Sequence, residues 1–263
     1  MSRRDWKKQF LRVKQIADQN LGRAEKTEVL NEDLQVLDKR VESIQKACST
    51  MHKKMKECLV ASAIPDPEKK LKKIPESYLS HCLIESGNIL GLDTLMGQTM
   101  LISGDAQGHM AKERLQLELD LERDVLNPVY DITEKEIPAI LKTKRHLKQL
   151  ILDMDSAKAR HMNAHKQYQQ GNINSSKLDS VREEMEEAQN RVEQARDQLS
   201  TEMFSFLARE SDFSKILFDL IFTQAEYHRR VLEVLQRTLP QLQEQIDHNV
   251  HMPVYGQPLE DHL

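Results

Sequence analysis

The stretch LNEDLQVLDKRVESIQKACSTMHKKMKECL, residues 30–59, sets an apolar residue at every third or fourth position and fills the intervals with charge. Leu30, Leu34, Leu37, Val41, Ile44, Cys48, Met51, Met55 and Leu59 are spaced 4, 3, 4, 3, 4, 3, 4, 4. That alternation keeps one narrow stripe of an α-helix on one side, the pattern of a coiled-coil seam. The spacing predicts a helix from about Thr27 to Ser62 that packs against other helices. Further along the chain, the same alternation returns beyond Lys177 in Val181, Met185, Ala188, Val192, Ala195, Leu199, Met203 and Phe206. A richer apolar stretch, Phe213, Ile216, Leu217, Leu220 and Ile221, carries that third helix towards Leu239, with Pro240 kinking its last turns. Between the two lies a second long helix. Gly104-Asp105 reads as a stop followed by an N-cap that opens it, and it continues to about Tyr168. Pro128 and Pro138 interrupt it; each removes a backbone donor and crowds the preceding turn, so each is expected to kink the rod without ending it. The apolar pattern resumes with Ile140, Leu141, Leu147, Ile151 and Met154.

The connections obey the same signals. Three prolines between Ile64 and Pro75 stop the first helix, and the run Lys69, Lys70, Lys72, Lys73 reads as a loop held in solvent. A shorter helix is expected from Glu76 to about Ile102, weakened by Gly87, Gly91 and Gly97. Gln169–Ser176 is the clearest polar turn. Charged residues make up 30% of the chain and aromatics 5%, a mixture that suits long exposed helices better than a deep globular core. The fold class is therefore all-α. Rods of about 60 residues are on the order of 90 Å long at 1.5 Å per residue. Three such rods alone bury little apolar surface per residue, so a second copy related by a two-fold axis is expected. Cys48, Cys58 and Cys82 form no paired framework and read as reduced thiols. No apolar run is long enough to cross a bilayer, and no secretory signal opens the chain.

The net charge of −4 conceals two basic islands. In residues 1–26 eight Lys and Arg stand against three acidic residues; in residues 142–166 seven stand against Asp153 and Asp155. The first island is amphipathic: Trp6, Phe10, Val13 and Ala17 share a helical stripe, widened by Leu11 and Ile16, while Arg3, Arg4, Lys7, Lys8, Arg12 and Lys14 crowd the other faces. This is the pattern of an interfacial helix whose cations meet lipid headgroups and whose aromatics enter the headgroup–acyl boundary. A helix this short is marginal in water, so it is expected to order on the bilayer. The plain alternative is that the stripe packs as a first turn of the bundle. Lys142, Lys144, Arg145, Lys148, Lys158, Arg160 and Lys166 form the second island, beside the polar turn. Each cation near an anionic leaflet contributes about 1 kcal/mol. Its plain alternative is a solvated helix face.

Catalysis finds no foothold in the sequence. His161 and His165 have the spacing of a helical zinc pair, but no Glu follows His161 and no third ligand presents itself, so a surface pair is expected and no metal site. Asp153 and Asp155 are two apart and point in different directions on a helix. No phosphate-cradling glycine loop, nucleophile elbow or cofactor motif occurs. Base-stacking aromatics are missing from the second island, so nucleic acid is not an expected partner.

Five stretches, taken together, bear a family likeness: Gly22-Arg-Ala-Glu-Lys-Thr-Glu-Val-Leu30, Glu136-Ile-Pro138, Leu152-Asp-Met-Asp-Ser-Ala-Lys-Ala-Arg160, Arg182-Glu-Glu-Met-Glu-Glu187 and Ala225-Glu-Tyr-His-Arg229. The chain resembles the BAR domains of nadrin-type proteins, in which a BAR domain precedes a RhoGAP domain. Tyr255-Gly-Gln-Pro-Leu-Glu-Asp-His-Leu263 is similar to the opening of a RhoGAP domain. The resemblance implies a long, kinked, three-helix antiparallel coiled coil that forms a crescent-shaped homodimer with a six-helix central bundle. It implies binding to anionic membranes, phosphoinositides included, through Lys142, Lys144, Arg145, Lys148, Lys158 and Arg160, and the sensing or inducing of curvature. The expected organisation is an amphipathic membrane helix over 1–20, the BAR domain over 21–250 and a linker with the truncated start of a RhoGAP domain over 251–263. Any action on a Rho-family GTPase would belong to the missing domain, and this chain would not itself be an enzyme. The expected location is peripheral, at the cytoplasmic face of plasma or endocytic membranes. A contrasting expectation is a coiled-coil dimerisation scaffold that recruits proteins without touching lipid.

Overall fold

The computed structural model describes residues 12–17, 19, 27–59 and 64–248, with the backbone of the last helix followed to Val250. All regular structure among the described residues is helical, as the periodicity predicts. In chain order the helices are α1 (Glu32–Cys58), α2 (Pro67–Leu71), α3 (Pro75–Leu90), α4 (Leu95–Leu121), α5 (Asn127–Asp131), α6 (Ile137–Gln169), α7 (Ser175–Leu207) and α8 (Glu210–Val250). A short helical piece over 12–17 precedes them. No described helix is long and apolar enough to cross a membrane. The chain divides into two compact units: the described residues of 1–50 with 130–212, and those of 51–129 with 213–263.

In the first unit α6 and α7 form a helical hairpin. The turn is set by Gly171, whose φ of 72° only glycine adopts readily, and by Asn174, which accepts from the Lys177 amide at 3.0 Å as N-cap. Leu147, Ile151, Met154 and Ala157 of α6 are buried, as are Ala188, Val192, Ala195, Leu199, Met203 and Phe206 of α7. Those α7 positions are members of the predicted seam. The first half of α1 adds buried Leu34, Leu37 and Val41. Lys144 of α6 ties α1 to this unit by an ion pair to Asp38 at 2.6 Å, with Glu42 3.6 Å away.

In the second unit Leu59 joins Leu117, Leu121, Val125 and Leu126 in a buried cluster against which Met55, Ile216, Leu220 and Tyr227 pack. Here the chain departs from the expected path. The helix expected from Glu76 to Ile102 breaks at Gly91, which takes a φ of 84°, and Thr94 caps the next helix by accepting from the Gly97 amide at 2.9 Å. Gly104-Asp105 is no terminus: both lie inside α4. A Cβ on Gly104 would come within 2.8 Å of Ile84, so this glycine lets α3 and α4 approach closely. The Pro65–Pro75 segment keeps Lys69, Lys72 and Lys73 in solvent as expected, but it is not all loop. It contains α2, capped by Asp66 through the Glu68 amide at 3.0 Å, and it buries Ile74 and Lys70. The Lys70 ammonium donates to Glu122.

The helix does continue through both prolines, by way of π turns. Glu122–Leu126 precedes Pro128 and Ile132–Glu136 precedes Pro138, with the Asn127 amide reaching the Glu122 carbonyl and the Ile137 amide the Ile132 carbonyl. Widening the turn before a proline relieves the clash of its ring with the helix and reassigns the carbonyls that the missing N–H would leave unpaired. The third long helix, expected unbroken to Leu239, is interrupted at Ala208 and Arg209. No Pro or Gly marks the place; Arg209 there pairs with both Glu136 and Asp212. Pro240 stays inside α8.

Candidate functional site

The second basic island lies on α6, and its seven cations have different fates. A helix turns 100° per residue, so Lys142, Arg145 and Lys148 fall within about 120° of its circumference. All three are exposed, and none has a carboxylate partner among the described residues. The Arg145 Nε donates only to the carbonyl of Leu141 on its own helix, at 3.3 Å. Lys166 is exposed and Lys158 half-buried. Arg160 is exposed but reaches Glu184 of α7 at 3.3 Å. Lys144 differs most: its pairing with Asp38 and Glu42 makes it a clamp between helices, and its ammonium is engaged.

The other sequence-selected residues, Arg3, Arg4, Trp6, Lys7, Lys8 and Phe10, lie outside the described residues. Next along the chain, the piece over 12–17 docks on α6 through polar side chains. Arg12 donates from Nε and from an η nitrogen to the two oxygens of Asp153, both at 2.8 Å. These hydrogen bonds raise the Arg12 pKa above its ordinary value, with burial opposing. Gln15 is buried. Gln19 donates to Asp155 at 2.8 Å, and Thr27 donates to the same carboxylate from its hydroxyl at 2.6 Å. Asp153 and Asp155 are thus acceptors that hold the N-terminal segment against α6, a role that sequence spacing alone did not suggest. Meanwhile Val13 and Ile16 of the apolar stripe face solvent. At these two positions the stripe does not pack against this chain, whereas Arg12, Gln15 and Gln19 of the same segment do.

His161 and His165 stack with ring centroids 6.4 Å apart. Among the described residues no group of three His, Cys, Asp or Glu side chains is placed to hold a metal ion. The three cysteines are free; burial pushes the Cys48 thiol up from its ordinary pKa, while Cys58 and Cys82 are exposed.

Comparison with known proteins agrees with this picture. The family model described as "BAR domain" matches residues 6–244. The chain is 45% identical over 263 residues to Rho GTPase-activating protein 44 of Mus musculus, covering 98% of this chain and 32% of that protein. It is 41% identical over 259 residues to Rho GTPase-activating protein 17 of Homo sapiens, covering 98% and 29%. To SH3 domain-binding protein 1 of Homo sapiens it is 35% identical over 280 residues, covering 98% and 40%. The chain therefore spans about a third of the length of these relatives. A chain whose described regular structure is entirely helical, with coiled-coil seams, and which that model matches over nearly its whole length, belongs to the BAR domain family.

Proposed function

We propose that this chain is a homodimeric module that binds anionic membranes and senses or induces their curvature. The observation that carries the reading is the contrast on α6, where Lys144 is consumed by an interhelical ion pair while Lys142, Arg145 and Lys148 stand exposed on one side without carboxylate partners. Cations left unmatched on a chain of net negative charge are available to a polyanion. Arg160 and Lys166 fall on the same side of α6, where Arg160 would exchange Glu184 for a phosphate, while the half-buried Lys158 would add its charge from beside it. The amphipathic segment over 1–20 would act as a wedge: its docked part already turns Val13 and Ile16 outward. Pro128 and Pro138, each preceded by a π turn, are the positions at which the rod would bend. Dimerisation is supported by the apolar side chains that α8 leaves exposed. Residues 21–250 would form the dimerising body, and residues 251–263 would lead into a RhoGAP domain. Through that domain the whole protein would act on a Rho-family GTPase, as the names of its relatives suggest. Its place would be the cytoplasmic face of plasma or endocytic membranes.

Co-sedimentation with vesicles of phosphatidylcholine, with and without phosphatidylserine or a phosphoinositide, tests the reading. Binding should require the anionic lipid, fall as salt rises, and weaken by about tenfold or more when Lys142→Glu is combined with Arg145→Glu. Binding that ignores salt and both substitutions would reject the electrostatic mechanism, and no binding at all would leave the protein-recruiting scaffold.

A further inference from the structure

Between the end of α1 and the middle of α3 the second unit forms a hollow of about 650 Å³, lined by Ile64, Lys69, Lys72, Lys73, Tyr78 and His81. Its frame is pinned from beneath. Lys70 is only 1% exposed with its ammonium on Glu122, and Ile74 is fully buried. Fixing those two side chains inward leaves Lys69, Lys72 and Lys73 outward, and all three are exposed. Lys72 and Lys73 have no carboxylate partner among the described residues; Lys69 has Asp66 at 3.7 Å, an exposed pair too weak to hold it.

Two other hollows are built differently. One, between α6 and α7, sets Arg12, Arg160 and Arg191 against Asp153, Glu184 and Glu187. Another, beside α8, sets Arg123, Lys215 and Arg230 against four carboxylates, among them Asp124 and Glu226. In both, the cations are neutralised within the protein. Among the described residues no Asp or Glu lines the hollow at Ile64–His81. Its walls are also amphipathic: Ile64, the 57%-exposed Tyr78 ring and the methylene stems of the lysines offer apolar surface beside ammonium groups.

We propose that this hollow binds the anionic headgroup and glycerol neck of a membrane phospholipid, giving the chain a second lipid contact besides α6. The inference rests on the membrane-binding reading above. Unmatched cations select an anion, and the apolar wall selects an amphiphile over a free anion. A second copy of the chain, the other candidate occupant, is disfavoured because burying the unpaired Lys72 and Lys73 ammonium groups, and the weakly paired one of Lys69, in a protein interface is costly without carboxylates opposite them.

The test uses the full chain and titrates it calorimetrically with a short-chain, water-soluble phosphatidylserine below its micelle concentration, with glycerophosphoserine and with inorganic phosphate. Saturable binding of the short-chain lipid is expected, weakened about tenfold or more by the combined Lys69→Ala, Lys72→Ala and Lys73→Ala substitutions and by Tyr78→Ala alone, and unchanged by Lys142→Glu with Arg145→Glu. These side chains are exposed, and circular dichroism should show the variants folded. Glycerophosphoserine or phosphate binding as well as the lipid would overturn the assignment to an amphiphile. Vesicle binding without short-chain lipid binding would overturn this site while leaving the general reading intact; the reverse result would sink the general reading and keep the site. If Tyr78→Ala instead converts a dimer to a monomer in sedimentation, the hollow is a subunit interface and the proposal fails.

Discussion

α7 and α8 follow one another with only Ala208 and Arg209 between them, and both carry apolar stripes at helical spacing, yet they dispose of those stripes differently. α7 buries its seam from Ala188 to Phe206 within the chain and leaves one large apolar side chain, Phe204, exposed. Along α8 the exposed set includes Leu217, Phe218, Ile221, Phe222, Leu232 and Leu239, with Phe218 and Ile221 each 63% exposed. The difference has a simple cause: α7 has α6 as an intrachain partner, whereas α8 carries more apolar surface than its own unit covers. A continuous apolar patch facing water marks a partner. The second unit thus leaves more of its apolar surface uncovered than the first.

Four measurements probe that contrast. The largest effect is expected from Phe218→Glu combined with Ile221→Glu, which would place charges inside a dimer interface and weaken association by about a thousandfold or more. Sedimentation would then report a monomer, while Phe204→Glu on α7 should leave the mass unchanged. A native chain that sediments as a monomer would remove the basis of the comparison. Next, Leu199→Ala in the closed seam of α7 should cost about 3 kcal/mol in chemical denaturation, because Leu199 is fully buried and its cavity cannot collapse completely. Leu217→Ala on the exposed side of α8 should cost well under half as much in a chain held monomeric.

Of similar or slightly smaller size is the loss expected from Glu122→Ala, about 3 kcal/mol, since it strands the Lys70 ammonium in the second unit. Lys70→Met should be nearly neutral, and an equal loss from both would refute the idea of an uncompensated charge. The smallest effect concerns pH. Asp124, beside α8, is held below its ordinary pKa chiefly by its hydrogen bond from Arg123, with burial opposing and Lys215 assisting. A depressed carboxylate contributes stability above its unfolded pKa and loses it as pH falls through the lower, folded value. The contribution is small for so exposed a pair, so Asp124→Asn should only slightly flatten the acid limb of the stability profile. An unaltered profile would show that the pair contributes nothing.

Much of the architecture was legible from residue spacing. Every member of the first seam, from Leu30 to Leu59, is buried or half-buried, and Gly171 and Asn174 make the turn that polarity predicted. Glycine misled where its role was not conformational: Gly104 read as a terminus because a missing side chain looks the same in sequence whether it serves a turn or a close helix crossing. The break at Ala208 had no local signature, since it falls where Arg209 meets Glu136, a residue 73 positions earlier. Lysines were the hardest to place. Lys70 and Lys144 resemble their neighbours in sequence, and only Glu122 and Asp38 distinguish them.

Helices, seams and the positions of the basic islands are written in the sequence itself, because a 3.5-residue period and a local excess of charge are properties of consecutive residues. Which cations stay available was settled only by the packing of the folded chain, as were the polar docking of Arg12 on Asp153, the outward turn of Val13 and Ile16, and the lysine-lined hollow. The reason is that a long cationic side chain goes inward only where folding brings a carboxylate to meet it, and a carboxylate 52 or 106 residues away leaves no trace in the neighbouring sequence.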